Sequence, residues 1–450
     1  MDYIVKTPCG EMKGCKGRVP GTVAYKGIRY ATAGRWEYPK AVTSWEGTYD
    51  ATEYGSCCYQ PRAFYNEEEN KKKYFYYNEF RKGESYTYSE DCLFLNVFTP
   101  ENVNEEDKLP VLISIHGGSF TGGCGHEKQF DGPTWPAKGV IGVTINYRLG
   151  PLGFLCLPEL KEEAGKTGNY GLYDQLTAIQ WVKNNIAAFG GDPDNITVIG
   201  QSAGAMSIQL HCLSPMAEGM FQKAVMCSGS GVSRFMSYAP AEKRYNFWHA
   251  VMARAGCEDL ASFRALSPEK LFEVWQSTKK EIKGGGITAF PCQDGELITG
   301  SGVDILRSGK HLKIPYLTGT TSEDFGSPVL FSLAKKWCKA QDVPSFLWMF
   351  DRRLPGDDRG AWHSSDLWYW FGTLDSCWRP MEAKDYELAD QMTDYLTSFA
   401  KTGDPNTDGL PTWLPGGKCA MRIGEGETRM GKVSKLKLWY NLFKSRSTGE

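Results

Sequence analysis

One serine, one glycine-rich loop, one histidine and a pair of carboxylates are the groups whose spacing in this chain could support acyl chemistry. Ser202 sits in Gly200-Gln201-Ser202-Ala203-Gly204, directly after the apolar run Ile196-Thr197-Val198-Ile199 and before the helix-compatible run Ala203 to Leu210. Strand, Gly-x-Ser-x-Gly and helix in succession form a nucleophile elbow. The turn is sharp, the hydroxyl stands clear of the backbone, and the flanking glycines let strand and helix approach. Such a serine performs covalent catalysis when a neighbouring base takes its proton. A glycine-rich turn with a solvated serine is spelled the same way, so the rest of the chain must supply the partners. The first is Ile115-His116-Gly117-Gly118-Ser119-Phe120, which follows the apolar run Val111 to Ile115. A His-Gly-Gly-x loop after an early strand offers backbone N–H donors to a developing oxyanion.

The base follows by elimination. In α/β-hydrolases the order along the chain is serine, acid, histidine. Of the six histidines, His116 and His126 precede Ser202 and drop out. His211 lies one helix beyond the serine, and His249 falls in the helix-like stretch Glu242 to Arg254, so both read as structural. His311 precedes the apolar segment Ile314 to Leu317, which leaves no room for an acid before it. His363 remains, in the loop Gly360-Ala361-Trp362-His363-Ser364-Ser365. The acid belongs at a strand end between Ser202 and His363. Ile314-Pro315-Tyr316-Leu317 leads to Glu323 and Asp324, two adjacent carboxylates that sequence order does not separate. Either could equally be a first-turn helix acid.

These residues need a frame. Strand-like and helix-like segments alternate, as in a mostly parallel sheet covered by helices on both faces. Continuous apolar runs at Val111 to Ile115, Val140 to Ile145 and Ile196 to Ile199 suit strands buried on both sides. Leu172 to Ala188 carries Leu176, Ile179, Val182 and Ile186 at helical spacing, a core-facing stripe. No linker divides the candidate residues, so the expectation is one domain over residues 1–450, with a loop insertion around 59–91. That insertion is crowded with aromatics from Phe64 to Tyr88 and carries the charge run Glu67 to Lys73. It reads either as an aromatic rim for a substrate or as a loop packed down by its own rings.

With these motifs in place the chain resembles a type B carboxylesterase of the short, bacterial type, within the cholinesterase-like family of the α/β-hydrolase fold. Ser89-Glu90-Asp91-Cys92-Leu93-Phe94-Leu95-Asn96 resembles one family signature. The run from Phe189-Gly190-Gly191-Asp192-Pro193 through Gly200-Gln201-Ser202-Ala203-Gly204 resembles the other. Asn146-Tyr147-Arg148-Leu149-Gly150, Gly168 to Gln175 and Thr402-Gly403-Asp404-Pro405-Asn406 fit as well. The resemblance implies a serine carboxylic-ester hydrolase with Ser202, Asp324 and His363 as its triad, and Glu323 as second choice for the acid. It assigns the oxyanion donors to the N–H groups of Gly118, Ser119 and Ala203, and a supporting place to Ser228. Trp362-His363-Ser364-Ser365-Asp366-Leu367 is similar to the family's His-Gly-x-Glu-Leu stretch. Arg35 and Glu90 resemble a family ion pair, and Cys58 and Cys92 match the ends of a family disulfide loop. Gln201 stands where cholinesterases commonly carry glutamate, which argues against a choline ester. The interval from Asp324 to His363 is short for the family, implying a reduced lid and an open site that admits larger alcohol groups. The alternatives are a silent binding scaffold of the same family, or a thioesterase or acyltransferase using the same triad.

Composition narrows the setting. A formal net charge of -2 over 450 residues argues against a nucleic-acid partner. No apolar run reaches membrane-spanning length, and the N-terminus has no basic segment followed by an apolar core. Cys257 resembles one end of a second family disulfide, but Ala261 to Leu266 holds no cysteine. Of the fourteen cysteines most are therefore expected as free thiols in a reducing cytoplasm. No metal or cofactor is implied, because no Cys-x-x-Cys, His-Glu-x-x-His, P-loop or Rossmann pattern occurs. The expected partner is a small-molecule ester.

Overall fold

The apolar runs fold as neighbouring strands of one sheet. The computed structural model describes residues 3–232, 238–282 and 288–447. In chain order the main strands are β1 (Tyr3–Thr7), β2 (Gly10–Lys16), β3 (Thr22–Arg29), β4 (Phe94–Pro100), β5 (Leu109–Ile115) and β6 (Ile141–Ile145). They continue with β7 (Gly191–Gln201), β8 (Lys223–Cys227), β9 (Tyr316–Thr321), β10 (Ser345–Phe350), β11 (Ala420–Ile423) and β12 (Arg429–Gly431). Their spatial order is β1-β2-β3-β4-β6-β5-β7-β8-β9-β10-β11-β12, with Thr48–Asp50 paired to β2 beside the path. Neighbours from β6 to β11 run parallel. The antiparallel pairings lie toward the two margins.

Burial explains the apolar spelling. Every residue of β6, β8, β9 and β10 is buried, as strands covered on both faces must be. Side chains alternate between the two layers. Val111, Ile113, Ile115 and Val198 join one core, while Leu112, Ile199, Val225 and Leu317 join the other. The helix expected over Leu172 to Ala188 spans Tyr170–Asn185 and tightens into a 3-10 turn at Ile186–Phe189. Gly190 then turns the chain at φ 80°, where an added Cβ would lie 2.3 Å from Val103. The stretch Glu242–Arg254 is helical as expected. The segment read as Ile314 to Leu317 joins the sheet only at Tyr316 and stays in it through Thr321. Pro315, which has no N–H to give a ladder, sits just before it.

Two devices tie the aromatic insertion to the body. The expectation of free thiols has one exception, because Cys58 and Cys92 are joined by a disulfide, while the other twelve cysteines among the described residues are unpaired. Arg35 and Glu90 form a two-point ion pair. Within the insertion, the helix Tyr74–Phe80 lays Phe75, Tyr76 and Phe80 around Trp362, with ring centroids 5.0–5.9 Å apart. Glu79 of this helix is fully buried against Arg379 and accepts from Trp368 Nε1 and Trp378 Nε1. The insertion thus packs onto the segment that carries His363.

Candidate active site

Ser202 sits at the corner between β7 and the helix Ala203–Cys212, with φ 55° and ψ -121°. A non-glycine residue holds that conformation only where its surroundings over-determine it. Here Ser202 N–H donates to the Cys227 carbonyl at 2.9 Å, and Met206 N–H donates to the Ser202 carbonyl at 2.9 Å. The two elbow glycines are required by close approach. A Cβ on Gly204 would stand 2.0 Å from the Ile115 carbonyl oxygen, and one on Gly200 would stand 2.6 Å from Gly204.

The glycine loop leaves β5 at Ile115 and folds back on itself. Thr121 and Gly122 N–H both donate to the Gly118 carbonyl at 3.0 Å. Gly118 has φ 108°, and a Cβ there would meet the Gly122 carbonyl at 2.0 Å. Ser119 and Phe120 are also left-handed, at φ 57° and 61°. The N–H groups of Gly118 and Ser119 have no acceptor among the described residues, so both donors stay available beside Ser202. Ala203 is buried at the first position of its helix, immediately after Ser202.

The structure separates the two adjacent acids. Asp324 is buried, and its Oδ1 lies 2.8 Å from His363 Nδ1. Its Oδ2 accepts from the hydroxyls of Thr320 and Thr321 at 3.0 and 3.2 Å. Burial opposes its charge, but the imidazole and the hydroxyl donors outweigh that and hold the carboxyl below its ordinary range. Glu323 points elsewhere, accepting from Arg353 Nη1 at 2.5 Å and from Ala361 N–H at 2.7 Å. His363 shows the converse balance. Burial disfavours its cation, yet the charge and hydrogen bond of Asp324 raise its pKa above the ordinary value. Gln201 Nε2 lies 3.1 Å from His363 Nε2, the ring nitrogen that Asp324 leaves free. Ser228 Oγ shares a hydrogen bond with Thr320 Oγ1 at 3.2 Å, one step behind Asp324.

Three neighbours were not singled out from the sequence. Asp366, fully buried, is pushed by burial and then by the charge of Asp324 from 3.8 up to about 7. Its Oδ2 accepts from Trp370 Nε1 at 3.3 Å, and its Oδ1 has no partner among the described residues. Phe325 packs against His363 with ring centroids 4.7 Å apart and planes tilted by 37°, and is 68% exposed. Glu127, at the end of the glycine loop, is paired with Arg62 and Arg81 from the aromatic insertion. The sequence did carry a signal for Asp366, which lies in the stretch compared with the family's histidine motif, and for Phe325, which follows the acid.

Ser202, His363, Asp324, Gly118, Ser119, Gln201 and Ser228 all line one cavity of about 720 Å³. That volume suits a small organic ligand. Tyr65, Tyr76 and Phe80 from the insertion and Phe325, Val329 and Leu330 from the opposite side form its apolar walls. The insertion therefore both lines the cavity and packs on its own rings. Some of its rings face the cavity, while Phe75 is spent on packing.

The model of the carboxylesterase family matches residues 1–343 and 330–436. Para-nitrobenzyl esterase of Bacillus subtilis (strain 168) is 32% identical over 471 residues, covering 90% of this chain and 91% of that protein. Bile salt-activated lipase of Rattus norvegicus is 30% identical, covering 87% of this chain and 75% of that protein. A solved para-nitrobenzyl (PNB) esterase structure superimposes with a TM-score of 0.81 at 28% identity, covering 98% of this chain and 99% of the other. An esterase of Clostridium hathewayi described as hydrolysing aliphatic aromatic polyesters gives 0.80 at 26% identity, covering 99% and 98%. The elbow, the parallel sheet that carries it and these similarities lead to one conclusion: the chain belongs to the carboxylesterase family and is an ester-hydrolysing enzyme of the α/β-hydrolase fold.

Proposed function

We propose that residues 1–450 act as one domain that hydrolyses carboxylic esters of small molecules through Ser202, His363 and Asp324, by way of an acyl-enzyme. The observation that carries this reading is the contact of His363 Nδ1 with Asp324 Oδ1 at 2.8 Å, on the rim of the cavity that Ser202 also lines. Asp324 fixes the proton on Nδ1, so Nε2 presents its lone pair and takes the Ser202 proton as Oγ attacks the carbonyl carbon. The N–H groups of Gly118, Ser119 and Ala203 receive the oxyanion, each such donor being worth about 3 kcal/mol. His363 returns its proton to the departing alkoxide and the alcohol leaves. Water, deprotonated by the same nitrogen, then attacks the acyl-enzyme and restores Ser202. Gln201 donates to Nε2 in the resting site and must yield that nitrogen to the serine when substrate enters.

Aromatic walls on both sides of an open cavity favour esters with an aryl or branched alcohol portion, in keeping with the para-nitrobenzyl and polyester activities named for two of the relatives. A cytoplasmic setting belongs to the same proposal. Disulfides beyond the Cys58–Cys92 bridge, formed from the twelve free cysteines and found in protein taken from cells, would count against it.

The test is rapid mixing with a p-nitrophenyl ester. The native chain is expected to release a burst of p-nitrophenol equal to the enzyme concentration, and Ser202→Ala to give none. A burst of equal size in folded Ser202→Ala refutes the assignment of the nucleophile.

A further inference from the structure

Outside the cavity, one cluster of metal-ligating side chains is assembled from two distant segments. Cys57 lies in the short strand Cys57–Cys58, paired with Tyr88–Ser89 and adjoining the Cys58–Cys92 bridge. Cys124 and His126 lie where the glycine loop returns to the body. The two sulfurs and one ring nitrogen all fall within 4.8 Å of one another. Cys57 Sγ and His126 Nε2 are 3.5 Å apart. A tetrahedral ion with Zn–S of about 2.3 Å and Zn–N of about 2.0–2.1 Å places adjacent sulfur and nitrogen ligands roughly 3.5 Å from each other. We propose that Cys57, Cys124 and His126 form a binding site for a soft divalent cation of the zinc type, which clips the base of the oxyanion loop to the aromatic insertion.

The surroundings hold the ligands in place. The His126 ring stacks on Tyr54 at 4.6 Å with an interplanar angle of 7°, and Tyr86 covers it at 5.6 Å. Gly125, between the two loop ligands, donates to Asn146 Oδ1 at 2.8 Å, and a Cβ there would meet the Ile145 carbonyl at 2.9 Å. Gln60 grips Gly123 on the other side, accepting its N–H at 2.9 Å and donating to its carbonyl at 3.1 Å. Arrangement by fixed neighbours is what a metal site requires of its outer contacts.

Charge also balances. Arg62 Nη2 approaches Cys124 Sγ at 3.9 Å, a cation where another cation is to bind. Arg62 is, however, paired with Glu127, and Arg81 with Glu67 and Glu127, so two guanidiniums meet two carboxylates. Two thiolates then neutralise one divalent ion, and two thiol protons leave on binding. Soft sulfur donors select zinc-like ions over magnesium or calcium. His126 is the partly exposed ligand and borders a surface cleft where Glu53, Glu84 and Asp131 outnumber Arg18 and Lys128, a route of entry from solvent. The fourth position falls to water or an added ligand.

The test uses the full chain, reduced with a phosphine, stripped by a chelator and titrated anaerobically with Co²⁺. Expected are one Co²⁺ per chain, a thiolate-to-cobalt charge-transfer band in the near ultraviolet, intense tetrahedral d–d bands, displacement by Zn²⁺, and a higher melting temperature with Zn²⁺ bound. Cys57→Ser and Cys124→Ser lose the charge-transfer intensity, and Cys156→Ser, which removes a buried cysteine elsewhere, keeps it. His126→Gln spares both thiols and is expected to weaken Co²⁺ by about tenfold or more, since losing even an outer-shell partner costs that much. Folded, reduced protein that takes up no stoichiometric Co²⁺ overturns the proposal. So does a Cys57–Cys124 disulfide found by mass spectrometry as the state in freshly isolated protein, which would make the pair a redox couple.

Discussion

At the scale of the residue, identical chemistry is assigned different work by its neighbours. Glu323 and Asp324 are both carboxylates on one turn. Asp324 meets an imidazole and two hydroxyls, whereas Glu323 meets Arg353 and the Ala361 N–H and so braces the loop leading to His363. Asp324→Asn is therefore expected to lower kcat by about 10⁴. It should also shift the acid limb of the kcat/KM profile to lower pH, because the charge that raises His363 is gone. Glu323→Gln keeps an acceptor for the Ala361 N–H and should cost far less, with the limb unmoved. A larger loss in Glu323→Gln would exchange the two assignments. Asp366 gives a stability prediction. Its folded pKa of about 7 lies above the 3.8 of a free carboxyl. Between those values the unfolded chain binds fewer protons than the folded one, so stability falls as pH rises through that window and levels off above it. Asp366→Asn removes the loss while keeping an acceptor for Trp370. It should leave Tm unchanged near pH 4 and raise it at pH 8, by at most about 4 kcal/mol in stability. Equal effects at both pH values would show that the carboxyl is not held neutral by its burial.

At the scale of the element, the elbow is a problem of clearance. The first turn of the helix Ala203–Cys212 passes so close to the end of β5 that only hydrogen fits at Gly204, where a Cβ would sit 2.0 Å from a backbone oxygen. A backbone atom of a central strand cannot give way as a side-chain tip can. Gly204→Ala is expected to destabilise by about 1–3 kcal/mol as an overpacked site and to displace the Ser202 turn, lowering kcat as well as Tm. Gly300→Ala, where a Cβ meets nothing within 4 Å and φ lies outside the left-handed region, is the control and should be neutral. If the two variants melted alike, clearance would not be what sets the elbow. The same logic explains why helix ends shifted from the expected positions. Periodicity identifies a stripe such as Leu176, Ile179 and Val182, but the end is set where Gly190 must turn away from Val103.

At the scale of the whole molecule, the cavity is a joint product of segments far apart in the chain. The insertion supplies Tyr65, Tyr76 and Phe80, the short interval before His363 supplies Phe325 and Val329, and the sheet supplies Ser202 between them. A site of about 720 Å³ with aromatic walls should turn over p-nitrobenzyl and other aryl or branched-alcohol esters with higher kcat/KM than ethyl acetate. Initial rates over such a series decide it. No preference for the bulky alcohols would mean that the open walls do not contact the leaving group. The insertion is also bound to the rest of the molecule by the buried Glu79–Arg379 pair, while the Cys58–Cys92 bridge closes its base, so the cavity wall and the His363 segment form one packed body.

The sequence by itself determined the parallel sheet, and it pointed to the elbow around Ser202, the glycine loop and His363. Each of these is written in local spelling: apolar runs for doubly buried strands, glycine where a Cβ would collide, and a fixed order along the chain. What it left open was which of two adjacent acids faces the histidine. One peptide unit separates them, and only the three-dimensional course of the turn after β9 aims one side chain inward and the other at Arg353. Tertiary structure alone also brought Asp366 into the electrostatic environment of the histidine, placed Gln201 on Nε2, and gathered Cys57, Cys124 and His126 from segments with no shared motif. Local pattern reports what a residue does to its own backbone. Contacts between distant segments depend on how sheets and loops stack, and no short stretch of sequence encodes that.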